Sequence, residues 1–167
     1  MRQVEIVDLG IVRDLLGCSS SVDPLGVGVD SLIALSCDAS HVAFARHTRL
    51  VLLSQHEPAG APRLITVRRR DAVQCVAWCS VSPQARRPAA PLPPRPRALL
   101  LAGCASGCLR GWSEHGVPIM RVWLHTSPLI DLALHCNGGA PDLLCLFSGG
   151  ALAHARGAEL HEFLRER

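Results

Sequence analysis

The sequence predicts an all-β chain of short antiparallel strands, and three observations support this prediction. Apolar and polar residues alternate in short runs such as Leu109–Trp112 and Val117–Leu124, a period of two that is typical of half-buried strands. Turns separate these runs at Gly103–Gly107 and Ser113–Gly116, where glycine allows the positive φ of a tight hairpin. The 167 residues are 49% hydrophobic but only 4% aromatic, so we expect a core of Leu, Val, Ala and Cys.

The first part of the chain predicts one set of four strands behind an N-terminal extension. Residues 1–30 are expected to form a strand at Val4–Leu9, a helical turn that ends at Leu16, and a loop over Cys18–Asp30. The four strands are predicted at Leu32–Leu35, His41–Ala45, Arg49–Ser54 and Leu64–Val67.

Two further sets follow. The second set contains Ala72–Val81, Leu99–Ala102, Leu109–Trp112 and Val117–Leu124, and alternation in its first strand places Val73, Cys75, Ala77 and Cys79 on one face. A proline-rich basic stretch, Ser82–Arg97, interrupts it and is expected to project as an extended loop. Its PxxP spacings leave a docking role open. The third set contains Leu129–Leu134, Leu143–Phe147 and Ala151–Ala155.

The three sets recur at a constant spacing. Equivalent hairpin turns at His47, Ser106 and Gly149 lie about 43 residues apart once the proline-rich stretch is left out, and WD-type propeller blades repeat every 40–45 residues or so. We therefore predict a partial, WD-like β-propeller of two to three blades over residues 31–156, with residues 82–97 as a loop insertion.

Propellers close with about 4–8 blades, so this sequence is expected either to be a piece of a longer protein or to receive its missing blades from elsewhere. Residues 157–167 favour the first alternative, because their apolar stripe of Leu160, Phe163 and Leu164 predicts the start of a helix that stops before it has a partner.

Composition excludes several classes of protein. The formal charge is +3 and the basic residues are scattered, which argues against a nucleic-acid partner. Their one run, Arg68–Arg70, is expected to be a solvated strand end. Charges such as Glu5 and Asp8 interrupt the N-terminal apolar stretch, and no stretch reaches the length of a transmembrane helix. We expect a cytoplasmic protein with no transmembrane segment.

No catalytic motif is present. The stretch Gly103–Gly107 resembles a nucleophile elbow, but its serine stands one place late and the segment joins two strands. The sequence also lacks the glycine-rich motifs that cradle nucleotide phosphates. We therefore predict no enzymatic activity, no cofactor and no catalytic or metal-binding residues.

The eight cysteines leave one alternative open. Cys75 and Cys79, together with Cys104 and Cys108, could supply four thiolates to zinc, although zinc-binding pairs are commonly two residues apart. Without a secretory signal, buried reduced thiols are the preferred interpretation. A small zinc-binding protein stays as an alternative function.

Three stretches carry a resemblance to a known family. They are Cys104–Arg110 (CASGCLR), Glu114–Val117 (EHGV) and Ser127–Leu132 (SPLIDL). In this pattern the chain resembles, over roughly Ser31–Arg167, the N-terminal region of the non-catalytic, regulatory subunit of the heterodimeric Rab GTPase-activating complex, the Rab-three GAP complex.

That resemblance implies a scaffold and not an enzyme. The implied partners are the catalytic subunit of the Rab GTPase-activating complex and, indirectly, a Rab GTPase in membrane traffic, with the catalytic arginine supplied by the other subunit. A WD-type scaffold of an unrelated complex is the other alternative.

Overall fold

Antiparallel strands make up almost all the regular structure of the computed structural model, which describes residues 15, 32–36, 40–54, 62–80, 98–135 and 142–156. A single 3₁₀ turn, Arg69–Asp71, precedes β5. The strands are β1 (Leu32–Leu35), β2 (His41–Arg46), β3 (Arg49–Ser54), β4 (Arg63–Thr66), β5 (Val73–Ser80), β6 (Ala98–Cys104), β7 (Cys108–Ser113), β8 (Pro118–Trp123), β9 (Leu129–His135), β10 (Asp142–Phe147) and β11 (Leu152–Ala155).

The strands form three sheets in which neighbours in sequence are neighbours in space. Sheet 1 has the order β1-β2-β3-β4, sheet 2 the order β5-β6-β7-β8, and sheet 3 the order β9-β10-β11. Every pairing is antiparallel, as expected for strands joined by tight hairpins. The three predicted sets of strands are therefore confirmed as three separate sheets.

Sheet 2 lies between the other two and is buried on both faces. One face packs against sheet 1 through Leu100, Ala102 and Trp112, which meet Leu50 and Leu52. The opposite face packs against sheet 3 and contributes Leu99, Leu101 and Leu109, which meet Leu129, Leu143 and Phe147. All seven residues of β6 are buried. This double burial explains why β6 reads as a continuous apolar run instead of an alternating one.

The first strands of the three sheets lie side by side. β5 contacts both β1 and β9, and the indole Nε1 of Trp78 donates a hydrogen bond to the carbonyl oxygen of Ala34 over 3.2 Å. The rings of His41 and Trp78 are also in contact, with centroids 5.5 Å apart. Face-to-face sheets that meet along their first strands are arranged as blades of a β-propeller.

Two details of the prediction were wrong. A β-bulge between Val73 and Cys75 turns Val73 toward sheet 1, so it does not share a face with Cys75 and Cys79, which pack toward sheet 3. Gly103 lies inside β6 and not in the turn, which contains Ala105, Ser106 and Gly107.

The predictions for residues 1–30, apart from Leu15, and for residues 82–97 and 157–167 lie outside the described residues. Within the described ranges, no helix has the length and hydropathy needed to cross a bilayer.

Candidate functional site

The most concentrated polar cluster is built around Asp71, whose side chain is 0% exposed. It closes the 3₁₀ turn between sheets 1 and 2, and its backbone amide donates to the carbonyl oxygen of Arg68. The Ser106 hydroxyl donates to Asp71 Oδ1 over 2.7 Å, and the Cys108 thiol lies 3.6 Å from the same oxygen. Asp71 thus connects the turn that enters sheet 2 with the β6–β7 hairpin.

Two arginines balance the charge of Asp71. Arg121 Nη2 lies 3.3 Å from Oδ2, and Arg110 Nη2 lies 3.5 Å from the same oxygen. Arg110 and Arg121 stand directly opposite each other on β7 and β8, a position where like charges repel. The buried carboxylate removes that repulsion, and Arg110 also lies over the Trp112 ring at 6.0 Å.

The Asp71 carboxylate is held in its ionised form. Burial on its own would raise the pKa of Asp71, but the Ser106 hydroxyl and the guanidinium groups of Arg121 and Arg110 outweigh it, so that this pKa lies below its ordinary value of 3.8. The same carboxylate raises the pKa of Arg121. No imidazole is among the described partners of Asp71, so the cluster lacks the base that activates a serine or cysteine nucleophile. It serves to join strands.

The cysteines of the zinc alternative do not come together. Cys75 and Cys79 pack on the face of sheet 2 toward sheet 3, whereas Cys108 contacts Asp71 on the opposite face. All four thiols are buried, and desolvation raises the pKa of Cys75 to about 12. Among the residues that the structure describes, no group of three or more His, Cys, Asp or Glu side chains is placed to hold a metal ion.

An open cleft of about 550 Å³ lies beside the Asp71 turn. It is lined by His47, Thr48, Val67, Arg69 and Ala72. His47 has a positive φ of 50° in the β2–β3 turn, and its carbonyl oxygen accepts a hydrogen bond from the amide of Val73. The cleft offers one imidazole and one guanidinium without a lining carboxylate or thiol, so its described lining does not form an acid–base pair.

Both ends of the stack of sheets carry apolar side chains. We call the side of sheet 3 that faces away from sheet 2 the open face of sheet 3, defined by the register as Asp131, Ala133, Leu144, Leu146, Leu152 and His154. Leu144 is 41% and Leu152 63% exposed there. The open face of sheet 1 is the corresponding surface at the other end, and it contains Ile33, Leu35, Val42, Phe44, Arg46, Arg49, Val51, Leu53 and Leu64.

The outer edge of sheet 2 carries a further exposed aromatic residue. Trp123, at the end of β8, is 59% exposed. Its neighbour Leu124 donates through its backbone amide to the carbonyl oxygen of Gly107, which fixes where β8 ends. A large aromatic at a rigid sheet edge is a residue type enriched at protein interfaces.

Sequence reasoning did not find the Asp71 cluster. Arg68–Arg70 was predicted to be a solvated strand end, and these three side chains are exposed beyond the end of β4. The neighbouring Asp71 carried no recognisable spacing to Ser106 or Arg121. The one feature that could have indicated the cluster is the pair Arg110 and Arg121, because two like charges that face each other need a counter-charge nearby. That pair depends on a bulge between Gly111 and Trp112.

The three stretches that carry the family resemblance form the turns of sheet 2 and the segment that leads into sheet 3. Cys104–Arg110 forms the β6–β7 hairpin, Glu114–Val117 the β7–β8 turn, and Ser127–Leu132 leads into β9. Gly107 has a φ of +75°, and its missing side chain leaves room for the carbonyl oxygen of Ser127. In the β7–β8 turn, the Ser113 hydroxyl accepts hydrogen bonds from the amides of His115 and Val117.

No family model and no curated protein matches the sequence. Solved structures do match. The chain is similar to a chain in the crystal structure of the mitotic checkpoint complex, with a TM-score of 0.54, 16% identity, and coverage of 74% of this chain and 32% of that one. It is also similar to a chain in the lead-soaked crystal structure of BBS1N in complex with ARL6DN, with a TM-score of 0.53, 16% identity, and coverage of 73% and 32%.

The mercury-soaked form of the BBS1N–ARL6DN complex also matches, with a TM-score of 0.51, 12% identity, and coverage of 71% of this chain and 34% of that one. These likenesses confirm the predicted fold class: the chain is an all-β, propeller-type structure. It spans about a third of the length of the solved chains that it matches.

Proposed function

We propose that this chain is a non-enzymatic, protein-binding scaffold and part of the regulatory subunit of a Rab GTPase-activating complex. In this role it holds the catalytic subunit in the cytoplasm and helps to position a Rab GTPase. The catalytic arginine then comes from the partner, and this chain contributes surface and rigidity.

The observation that carries the proposal is the open face of sheet 3. Leu144, Leu146 and Leu152 form one apolar surface on a rigid antiparallel sheet, because Leu144 and Leu146 share a strand face and Leu146 pairs with Leu152. Single exposed leucines are common on soluble proteins, whereas a contiguous apolar patch is typical of an interaction surface. Asp131 and His154 lie at its border and give it a polar rim.

Two further observations support the proposal. The sequence stretches that resemble the Rab-three GAP regulatory subunit are the turns that position β7, β8 and β9. The matched propeller-type chains are components of complexes, among them BBS1N in complex with ARL6DN. Both are consistent with a propeller that acts by binding other proteins.

The test is a binding experiment with the purified catalytic subunit of the Rab GTPase-activating complex. The chain is immobilised, and retention of the catalytic subunit is measured for the natural sequence and for the double variant Leu144→Asp, Leu152→Asp. We expect retention by the natural chain and at least about a tenfold loss in the double variant, because two carboxylates would be buried in an apolar contact. Circular dichroism and thermal unfolding check that the variants stay folded.

Val117→Asp is the matched control. Val117 is also apolar and 55% exposed, but it lies in the β7–β8 turn, away from sheet 3, so this variant should bind as the natural chain does. Equal retention by the double variant would show that the open face of sheet 3 is not the binding surface. If the natural chain retains no catalytic subunit, the Rab assignment is wrong, and a WD-type scaffold of an unrelated complex becomes the favoured function.

A further inference from the structure

The open face of sheet 1 is unevenly covered. Ile33 and Leu35 are 56% and 58% exposed, and Leu64 is 45% exposed. Val51 lies on the same face, since it pairs with Phe44 on one side and with Leu64 on the other, yet it is 0% exposed. Something therefore covers the middle of this face and leaves its borders open.

Part of the cover belongs to the N-terminal region of the chain itself. Leu15 is half-buried and packs in one cluster with Val51, Phe44 and Leu53. Arg49 Nη1 donates a hydrogen bond to the carbonyl oxygen of Leu15 over 3.0 Å. These contacts join residues more than thirty positions apart, so Leu15 is placed on sheet 1 by tertiary contacts and not by proximity in sequence.

The sequence around and before Leu15 is rich in aliphatic residues, as a segment that packs on an apolar sheet face needs to be. Residues 4–16 contain eight large aliphatic side chains, at Val4, Ile6, Val7, Leu9, Ile11, Val12, Leu15 and Leu16. A segment of this length reaches roughly 20 Å as a helix and roughly 40 Å when extended, and four strands of a sheet span about 15–20 Å, so the segment is long enough to reach across the face in either form.

The charges are also complementary. Residues 4–16 carry Glu5, Asp8 and Asp14 against a single basic residue, Arg13. On the open face of sheet 1, Arg46 and Arg49 stand directly opposite each other at the end of the β2–β3 hairpin. Facing guanidinium groups repel, and nearby acidic side chains or carbonyl oxygens offset that repulsion.

We propose that the N-terminal segment is held on the open face of sheet 1 at Leu15 and acts there as an internal cover, with Leu15 packed on Val51 and the carbonyl oxygen of Leu15 bound by Arg49. Ile33, Leu35 and Leu64 stay exposed at the borders of the covered area. In consequence, the middle of this face is closed to other proteins, whereas the open face of sheet 3 stays available to a partner. This inference does not depend on which protein that partner is.

The test measures whether Leu15 shields position 51. A thiol is introduced in the full chain by Val51→Cys, and its alkylation by iodoacetamide is followed peptide by peptide with mass spectrometry. Leu144→Cys on the open face of sheet 3 is the matched exposed position. We expect the thiol at position 51 to react at least about tenfold more slowly than the thiol at position 144, because it reacts only when the cover opens.

Adding Leu15→Asp should then accelerate alkylation at position 51 by about tenfold and leave position 144 unchanged, because a buried carboxylate disfavours the docked state. Arg49→Ala should act in the same direction. The buried thiols of Cys75 and Cys145 serve as the internal check, because they must stay unlabelled in every variant that is still folded.

Three outcomes would overturn the proposal. One is rapid alkylation at position 51 when Leu15 is intact, and another is slow alkylation that Leu15→Asp does not change. The third is protection that disappears when the protein is diluted, which would assign the cover to a second copy of the chain. None of these outcomes bears on retention of the catalytic subunit, so this proposal and the proposed function can fail separately.

Discussion

Asp71 shows how one buried charge can organise several strands. Its carboxylate faces Ser106, Arg110 and Arg121, which come from a hairpin and from two neighbouring strands. Each of these groups loses hydration when sheet 1 covers sheet 2, and each recovers a charged partner. Asp71 therefore stabilises the interface between the two sheets because it keeps Arg110 and Arg121 from being left there without a counter-charge.

Replacing Asp71 by Asn should lower the free energy of unfolding by about 3 kcal/mol, because it leaves two facing guanidinium groups without a buried counter-charge. Urea unfolding followed by tryptophan fluorescence measures the change. Asp131→Asn is the control, since Asp131 is exposed and accepts a hydrogen bond from the amide of the adjacent Leu132. A loss as small as that of the control would show that Asp71 does not hold the interface together.

The contribution of Asp71 should also depend on pH. The folded-state pKa of Asp71 lies below its ordinary value of 3.8, so the unfolded chain binds a proton first as the pH falls. The stability that Asp71 provides is then fully present above the unfolded-state value and is lost as the pH falls through the folded-state value. Comparing urea unfolding of the natural chain and Asp71→Asn across this range should show the two curves converging at low pH. A gap that widens with acid would contradict the assignment.

At the scale of single elements, β6 depends on a glycine for close packing. A Cβ atom at Gly103 would lie 2.6 Å from Leu129 Cγ and would also collide with the Cys75 sulfur. Gly103 thus lets β9 of sheet 3 approach the backbone of β6. The two glycines of the stretch Gly103–Gly107 have different roles: Gly103 allows close packing, and Gly107 allows the hairpin turn.

Gly103→Ala should destabilise the protein by about 1–3 kcal/mol, because the added methyl group forces β9 away from β6. Thermal unfolding monitored by circular dichroism measures the effect. Gly149→Ala is the matched control, since a Cβ atom there would meet only the Ser127 hydroxyl at 3.5 Å. Equal melting temperatures for the two variants would contradict the packing role of Gly103.

The strands themselves were largely predictable, since short apolar stretches between turns give their positions within one or two residues. Predicting which face of a strand is buried was less successful. The bulge between Val73 and Cys75 and the one between Gly111 and Trp112 each shift the register by one residue. Because side chains alternate with a period of two, a shift of one residue reverses the faces. Nothing in the sequence around Val73 or Gly111 indicates such a shift.

At the scale of the whole molecule, the three sheets bury all five cysteines that the structure describes. Cys75, Cys79 and Cys145 lie between sheets 2 and 3, and Cys104 and Cys108 are buried near Asp71. Desolvation raises the pKa of Cys145 to about 11. Burial keeps all five thiols away from reagents as long as the sheets stay packed, and the raised pKa makes Cys145 a poor nucleophile as well.

These five thiols should therefore resist alkylation at pH 8 in the folded protein and become reactive together when the stack unfolds in urea. Peptide-resolved mass spectrometry follows each thiol separately, and the same protein fully unfolded in urea gives the reference rate for each one. Labelling of Cys145 at urea concentrations that leave Cys104 protected would show that sheet 3 detaches on its own and that the stack is not one cooperative unit.

The sequence by itself determined the positions of the described strands, their grouping into three sets and the propeller-type repeat, because periodicity, turn residues and spacing are local properties. Only the tertiary structure decided that Asp71 meets Ser106, Arg110 and Arg121, that Gly103 lets β9 approach β6, and that Leu15 lies on Val51. Each of these contacts joins residues that are distant in sequence, and the Arg110–Arg121 pair also depends on a bulge. Their energies arise from burial and charge pairing between sheets, which the local pattern of residues does not encode.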